Sequence, residues 1–523
     1  MNQEYDLIVI GCGPAGEVLA STVGAAGYNV LVIERWPEPY PLPRLTTLDG
    51  ECCRVVQATS ADVDKGFEQS TIQNACHFVD RDGEDIMKVL YPGKLAGWPT
   101  RLSIFQPDFE KGITDKLESL PNVRILRGFE VLDFSQNENS VTVEFSPFDA
   151  NRMIAVGNPE KVTAKYMAGT DGARSFVRSH LGLEQKDFDM HERWLNFDAE
   201  LKRPLPEKFH KLAIFMDPSR PHMYMPIGEK YLRLEFRVME GETDEDVTDP
   251  SVAWDFLTKE HGLGSDDVNI MRQVVYHYHT RITQQWRKDR IFIAGDAAHT
   301  MPPYMGQGGC AAIRDGRNLG WKLIEVLSER SSEKLLDTYQ SERMPHASTI
   351  IMGSDMLSRQ VNIVDPSEAE KRDSAMRERG SFTPPDLPSL SSGILYFEKS
   401  SQETSIAGKM TPQGTVGKNG KAGRGDDLIG SGFQLWCAKD PSTFLNEEST
   451  KVITRLAIDI AVFNEPESQY AYEDIEGIYQ TFLENNDAAF VLVRPDFYAF
   501  GSGSFSQIND ALLSLKAQLF SNY

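Results

Sequence analysis

The chain has 523 residues, 40% hydrophobic and 25% charged, the profile of a folded water-soluble protein long enough for at least two cores. Its net charge of −23 argues against nucleic acid or an anionic membrane surface as partner, since like charges repel. No apolar run approaches the roughly 20 residues of a membrane span. The N-terminus reaches a strand too soon for a signal peptide, and the six cysteines include no Cys-x-x-Cys pair, so a reducing cytoplasmic location is expected.

In chain order, Tyr5–Ile10 is a nearly continuous apolar run, as a buried parallel strand requires. Gly11-Cys-Gly13-Pro-Ala-Gly16 follows, then Val18, Leu19, Ala20 and Val23 at helical spacing up to Gly27. A second buried strand, Asn29–Ile33, ends in Glu34-Arg35, and residues 35–97 read as irregular, with prolines at 37, 39, 41 and 43. The pattern predicts a helix over Asp108–Leu120 and antiparallel strands at Val123–Arg127, Glu130–Phe134 and Val141–Phe145. An apolar stretch, Ala164–Ala168, leads into Gly169-Thr-Asp171-Gly172. Residues 185–280 are strand-rich, with Leu195–Leu201, Lys211–Met216, His222–Pro226 and Tyr231–Val238 forming an inserted sheet. Ile291–Ala294 is another buried strand and Ala311–Leu327 a helix. A polar stretch without apolar period, 365–392, reads as linker. A smaller α/β unit follows, with strands near Phe433–Cys437, Ala457–Val462 and Ala489–Val493 and a final helix, Ser506–Leu519.

Three motifs carry chemistry. In Gly-x-Gly-x-x-Gly the glycines allow a sharp turn, close approach of a pyrophosphate and tight seating of the helix, whose N-terminus offers free N–H groups. Glu34, at the end of the second strand, can accept the hydroxyls of an adenosine ribose, so the combination specifies a dinucleotide. The second motif is Ile291-Phe-Ile-Ala-Gly295-Asp296, continued by Pro302-Pro303-Tyr-Met-Gly306-Gln-Gly308-Gly309 and the following helix. A strand-end carboxylate there can bond a cofactor hydroxyl, and glycines opening a helix turn backbone amides toward an anion such as reduced flavin. The third, Gly169-Thr-Asp171-Gly172-Ala-Arg174, is a turn or a cofactor contact.

Together these motifs resemble the class A flavoprotein aromatic hydroxylases of the para-hydroxybenzoate hydroxylase fold. The resemblance runs over about residues 4–350 and includes Pro43-Arg44, Leu48-Asp49-Gly50-Glu51, Arg54-Val-Val-Gln57, Gln106-Pro107, Trp286-Arg-Lys-Asp-Arg290 and Leu336 to Pro345. Within the family it is nearest the 3-(3-hydroxyphenyl)propionate and phenol hydroxylases. It implies an α/β fold: a Rossmann-like FAD-binding domain over 1–184 and 281–360, an inserted substrate-binding β-sheet domain over 185–280, a linker over 361–400, and a thioredoxin-like domain over 401–523. Ala407-Gly408-Lys-Met-Thr-Pro412-Gln413 and Val493-Arg494-Pro495-Asp496 carry the last likeness. With Cys437 its only thiol, that unit would be structural or oligomerising, as in a homodimer, and not redox-active.

The resemblance places FAD against Gly11, Gly13, Gly16, Glu34 and Arg35 at its adenosine diphosphate half. Arg44 and Gln106 would contact the pyrophosphate and ribityl side, Asp296 a ribityl hydroxyl, and Pro303, Gly306, Gly308 and Gly309 the ring. Asp171 and Gly172 would lie near FAD and the nicotinamide approach. Asp49 would be the base that deprotonates a phenol, or cap a local turn. Arg233 would be a substrate-side or a surface arginine, and Tyr304 would touch substrate or fill the core. Three departures from the family pattern are Cys310 where Asn is usual, Glu17 after Gly16, and Leu-Thr-Thr after Arg44.

The implied reaction is NADPH- or NADH-driven hydroxylation of a phenolic substrate by O₂ through a C4a-hydroperoxyflavin, with no metal. No second glycine turn provides a nicotinamide domain, so the nucleotide docks transiently. The rival expectations are another reaction on the same scaffold, such as epoxidation or dehydrogenation, and a non-enzymatic FAD-binding assembly protein. A halogenase is disfavoured because no Trp-x-Trp-x-Ile-Pro run occurs.

Overall fold

Strand β1 (Glu4–Ile10) is buried along almost its whole length, which is why it is a continuous apolar run and not an alternating one. A computed structural model describes residues 4–397, 406–463 and 465–520. After β1 the chain turns into α1 (Pro14–Ala25), where Pro14 occupies the position at which a missing N–H is harmless, and returns as β2 (Val30–Glu34). Two further helices, α2 (Gly50–Thr59) and α3 (Gln106–Ser119), precede β3 (Val123–Arg127), β4 (Glu160–Gly169) and β5 (Ile291–Ile293). The five strands pair parallel in the order β3-β2-β1-β4-β5. Thus Val123–Arg127 is a parallel partner of β2, not an antiparallel strand as its alternating sequence suggests. The antiparallel pair is Phe129–Gln136 with Val141–Asp149, the latter continuing onto β4.

Helix α4 (Gly308–Leu327) packs on α1, and α5 (Asp337–Val361) packs on α4. The observed α4 starts three residues before the expected Ala311, so both glycines and Cys310 lie in its first turn.

The second sheet has nine strands, in the order 299–300, Val268–Thr283, Gln185–Leu201, Tyr231–Arg237, His222–Ile227, Leu212–Phe215, Ala75–Val79, Asp85–Leu90 and Ser381–Phe382. It therefore recruits segments from both sides of 185–280, and the expected irregularity of 35–97 is corrected by α2 and two of these strands. The expected linker is corrected as well. Pro366–Arg379 is a helix capped by Asp365, and it stays amphiphilically quiet in sequence because only Ala369 and Arg372 are buried. After the short strand Ser381–Phe382 the chain is irregular to residue 397, and 398–400 lie outside the described residues.

The C-terminal unit is strand-helix-strand-helix-strand-strand-helix, with strands ordered 459–462, 434–437, 490–493, 499–503. The first two are parallel and the remaining neighbours antiparallel. Its Cys437 is buried, which pushes the thiol well up, and among the described residues all six cysteines are free. No helix among the described residues is long and apolar enough to cross a membrane.

Candidate active site

At the carboxyl ends of the parallel strands the backbone alone shapes a cradle. Gly11 has φ +97°, and a Cβ there would stand 2.6 Å from the Thr170 carbonyl oxygen. A Cβ on Gly16 would stand 2.3 Å from the Gly11 carbonyl oxygen, whereas one on Gly13 would meet nothing within 4 Å. The turn is thus packed on two sides and open at Gly13, the side a ligand can approach. No side chain caps α1, so its first amides remain free donors. Glu34 spans the turn: its carboxylate accepts from the Cys12 amide at 2.8 Å and the Trp36 amide at 2.9 Å. The geometry fits a dinucleotide, with Gly13 and the helix N-terminus facing phosphate and Glu34 facing ribose.

The third motif works on this turn through a residue that sequence reasoning passed over. Thr170 donates to the Gly11 carbonyl at 2.8 Å and clamps the glycine turn to β4. Asp171 is committed to its own turn, accepting from Ser175 Oγ at 2.5 Å and the Val177 amide at 3.0 Å. Gly172, at φ +80°, has open space around it. Arg35 is exposed, beside Glu130 at 3.5 Å and against the Trp36 and Phe148 rings.

Across the cradle, Gln106 accepts from the Arg44 and Leu45 amides at 2.8 and 2.6 Å and donates to Glu110 at 2.6 Å. The Arg44 guanidinium lies 4.1 Å over the Tyr40 ring. Two buried carboxyls stand here: burial pushes Glu110 up to about 7 and Glu17 well above the usual range, despite nearby Arg127. Arg127, at the end of β3, reaches Cys12 Sγ at 3.5 Å. Glu17, the unusual residue after Gly16, is therefore a buried acid held by Thr114 at 3.1 Å.

The second motif is stiffened by α4 and α5. Asp315 accepts from the Gly295 amide at 3.1 Å, from His299 at 2.8 Å and from Arg343 at 2.9 Å, so the Gly295-Asp296 turn hangs on a buried ion pair. Asp296 itself is exposed at the strand-end crevice. Pro303 opens the single turn 303–305, which Gly306 closes at φ +61°. A Cβ on Gly306 would lie 2.2 Å from Arg101 Nη2, and one on Gly309 would lie 2.7 Å from Leu45 Cδ1. Arg101 donates to the Met305 carbonyl at 2.9 Å and to Thr47 at 3.2 Å. No side chain caps α4, leaving the first amides free as they are at α1. Cys310 turns its thiol to the Gly306 and Thr47 carbonyls at 3.7 and 3.8 Å, a weak donor in place of an amide.

Both uncapped helices start beyond the carboxyl ends of strands in one parallel sheet. The FAD binding domain family matches residues 4–354, and the HcaD C-terminal domain matches 408–518. The chain belongs to the FAD-dependent aromatic hydroxylases. Its relatives include the probable NADH-specific resorcinol 4-hydroxylase of Rhodococcus jostii (strain RHA1), 31% identical over 95% of this chain and 91% of that protein. The 3-(3-hydroxy-phenyl)propionate/3-hydroxycinnamic acid hydroxylase of Mycobacterium sp. (strain JLS) is 31% identical over 83% of this chain and 76% of its own. The fold is also that of the flavin-dependent monooxygenase PieE in complex with FAD and substrate, TM-score 0.79 at 17% identity over 99% of both chains. Aklavinone-11 hydroxylase with FAD and aklavinone gives TM-score 0.78 at 21% identity over 98% of this chain and 99% of its own.

In this hydroxylase Asp49 is not placed to take a proton. Its carboxylate caps α2 through the Cys52 amide at 3.0 Å and accepts from Gln307 at 2.9 Å and Arg314 at 2.6 Å. Burial alone would raise its pKa, but the Arg314 guanidinium and these donors hold it below the carboxylate range, so the expectation of a base is corrected. Arg233 is buried and paired with Asp198 at 2.8 Å, and it donates to the Pro43 and Arg44 carbonyls. It is neither a surface residue nor free for substrate, and it anchors the segment that carries Arg44. Tyr304 is buried, edge-on to Trp194 at 5.7 Å, and accepts from Asn362 at 3.0 Å.

The polar pair on this face of the sheet was not foreseen. Glu235 is buried, accepting from Asn196 at 2.5 Å and from the Tyr278 hydroxyl at 3.3 Å. Burial raises its pKa against the pull of Arg233. Tyr278 is half-buried and, with Tyr91, packs on Trp194, Met223, Met225 and Tyr304. An acid flanked by Arg at two positions, Arg233-Leu-Glu235-Phe-Arg237, was the available signal, but alternation in a strand gives no hint that the Glu side faces inward.

Proposed function

We propose that this hydroxylase acts on a small phenol bearing a meta substituent and takes its electrons from NADH in the cytoplasm. The two named relatives act on resorcinol and on a 3-hydroxyphenyl acid, which share that ring pattern, and the first is NADH-specific by name. Bound FAD, reduced by the nicotinamide nucleotide, supplies the oxygen-transfer chemistry.

The protein's own residues do the rest. Gly11, Gly13, Gly16 and the α1 amides take the pyrophosphate, with Glu34 on the ribose and Asp296 on a ribityl hydroxyl. Pro303, Gly306, Gly308 and Gly309 bring backbone against the ring, and the α4 amides face the negative charge it carries when reduced. The nine-stranded sheet closes the other side and excludes water through Trp194, Met223, Met225 and Tyr304. Tyr278 takes the phenol proton as it passes its own to Glu235, which makes the ring electron-rich at the carbon to be hydroxylated.

The observation that carries this reading is the Glu235–Tyr278 pair at 3.3 Å, a buried acid whose pKa burial raises with the hydroxyl of a half-buried tyrosine in front of it. A panel of resorcinol, 3-(3-hydroxyphenyl)propionate, phenol and 4-hydroxybenzoate with each nicotinamide nucleotide tests it. The expected result is hydroxylated product from the first two with NADH. Oxidation that ends as peroxide with every phenol would sink it.

A further inference from the structure

The C-terminal unit is joined to the FAD-binding domain by buried charges, and one of these paths ends at the flavin-side turn. Tyr498 lies in the C-terminal unit, just before its last strand. Its hydroxyl donates to Glu51 Oε1 at 2.7 Å. Glu51 Oε2 stands 2.8 Å from Arg314 Nε. Arg314 donates to Asp49 at 2.6 Å and to Gln307 Oε1 at 3.1 Å, and Gln307 donates back to Asp49 at 2.9 Å. All five side chains are buried. Gln307 sits between Gly306, which holds the left-handed turn, and Gly308, the first residue of α4.

We propose that Tyr498 is a positioning residue for the flavin-side turn, acting through Glu51, Arg314 and Asp49 on Gln307. One guanidinium is shared between two buried carboxylates. The Tyr498 hydroxyl satisfies the Glu51 oxygen that Arg314 does not reach, so it sets how strongly Glu51 competes with Asp49 and Gln307 for Arg314. Without it Glu51 carries an unpaired buried oxygen, which draws the guanidinium toward itself and loosens its grip on Gln307. The C-terminal unit then belongs to the flavin site although it holds no redox group.

Other contacts across the same seam end elsewhere and give the control. Arg54 pairs with Asp426 at 2.6 Å, and Arg494 pairs with Glu342 at 2.7 Å, neither touching Gln307 or Asp49.

The inference rests on Gln307 and Gly306–Gly309 lining the flavin side. The test compares Tyr498→Phe and Asp426→Asn in the full-length holoenzyme, reading FAD dissociation constant, visible circular dichroism of the flavin, peroxide released per NADH, and Tm. Loss of one hydrogen bond to a buried charge predicts an FAD dissociation constant raised about three- to tenfold in Tyr498→Phe. Peroxide release should rise and the flavin dichroism change, while Asp426→Asn lowers Tm and leaves these readouts alone. A Tyr498→Phe protein with lowered Tm but unaltered FAD affinity, dichroism and peroxide release overturns the proposal. If Tyr498→Phe does not fold, Glu51→Gln must show the same three changes, and their absence overturns it equally. A wild-type protein that binds no flavin would instead sink the site assignment beneath it.

Discussion

The pyrophosphate cradle and the flavin-side turn face one crevice yet are built by opposite means. The cradle is backbone: three glycines, an uncapped helix and one strand-end acid, all within 34 residues of the N-terminus. The flavin-side turn has glycines too, but it is held by Arg101, Thr47, Asp49, Gln307 and Arg314, which come from three separate stretches of chain. The face proposed for the substrate is more dispersed still. A site made of backbone tolerates change around it and none within it, whereas a site made of crossing side chains is sensitive at many distant positions.

The largest effect that comparison implies is at Gly16. Gly16→Val puts atoms where a single Cβ already stands 2.3 Å from a carbonyl oxygen, so FAD should be lost by more than about a hundredfold in affinity, read from flavin absorbance after gel filtration. A purified Gly16→Val protein that stays yellow would break the account of the cradle.

Glu235→Gln ranks next. Removing a general base slows turnover by about 10²-fold, and the loss should shrink as pH rises and the phenol ionises in solution. NADH oxidation should persist as peroxide release. A kcat profile unchanged in height and shape would return the search for the base to another residue.

Asp49→Asn sharpens the contrast between base and buttress. The carboxylate is held ionised by Arg314, so the neutral amide should cost about 1–3 kcal/mol of stability while changing turnover only a few-fold, with the pH profile kept. Loss of the acidic limb of that profile in Asp49→Asn would restore it as the base.

The smallest effect belongs to Glu110, whose pKa is pushed up to about 7 beside the cradle. An acid with a raised folded-state pKa binds protons more tightly in the native protein, so apo stability falls as pH rises from about 4.5 to about 7. Its ionisation also sets a negative charge near an anionic ligand. FAD affinity should therefore fall a few-fold as pH climbs through about 7, and Glu110→Gln should flatten that slope. A titration whose slope is the same in Glu110→Gln would remove the acid from the account.

Parallel strands and glycine turns were legible because their signals are local: an apolar run, a glycine where Cβ is forbidden, an acid at a strand end. Local signals misled at Val123–Arg127, where alternation looks antiparallel although β2 lies beside it in parallel. They were silent over 75–90, where Ala75–Val79 pairs with Leu212–Phe215 and Asp85–Leu90 with Ser381–Phe382, both far along the chain. They were equally silent about α4, where the polar residues Arg314, Asp315, Arg317, Asn318 and Lys322 are all buried. Each finds its partner on an element distant in sequence, such as Asp49, Arg343, Pro495 or Glu342.

By itself the sequence determined that the chain carries a dinucleotide-type glycine turn after its first strand and a glycine-rich helix start at Gly306–Gly309. These follow from steric rules that act within a few residues. Only the tertiary structure decided that Asp49 is an ion-paired cap, that Arg233 is an anchor, that Glu235 is buried against Tyr278, and that Tyr498 bonds Glu51. A carboxylate's role depends on what neutralises it, and the neutralising charge is brought there by the fold.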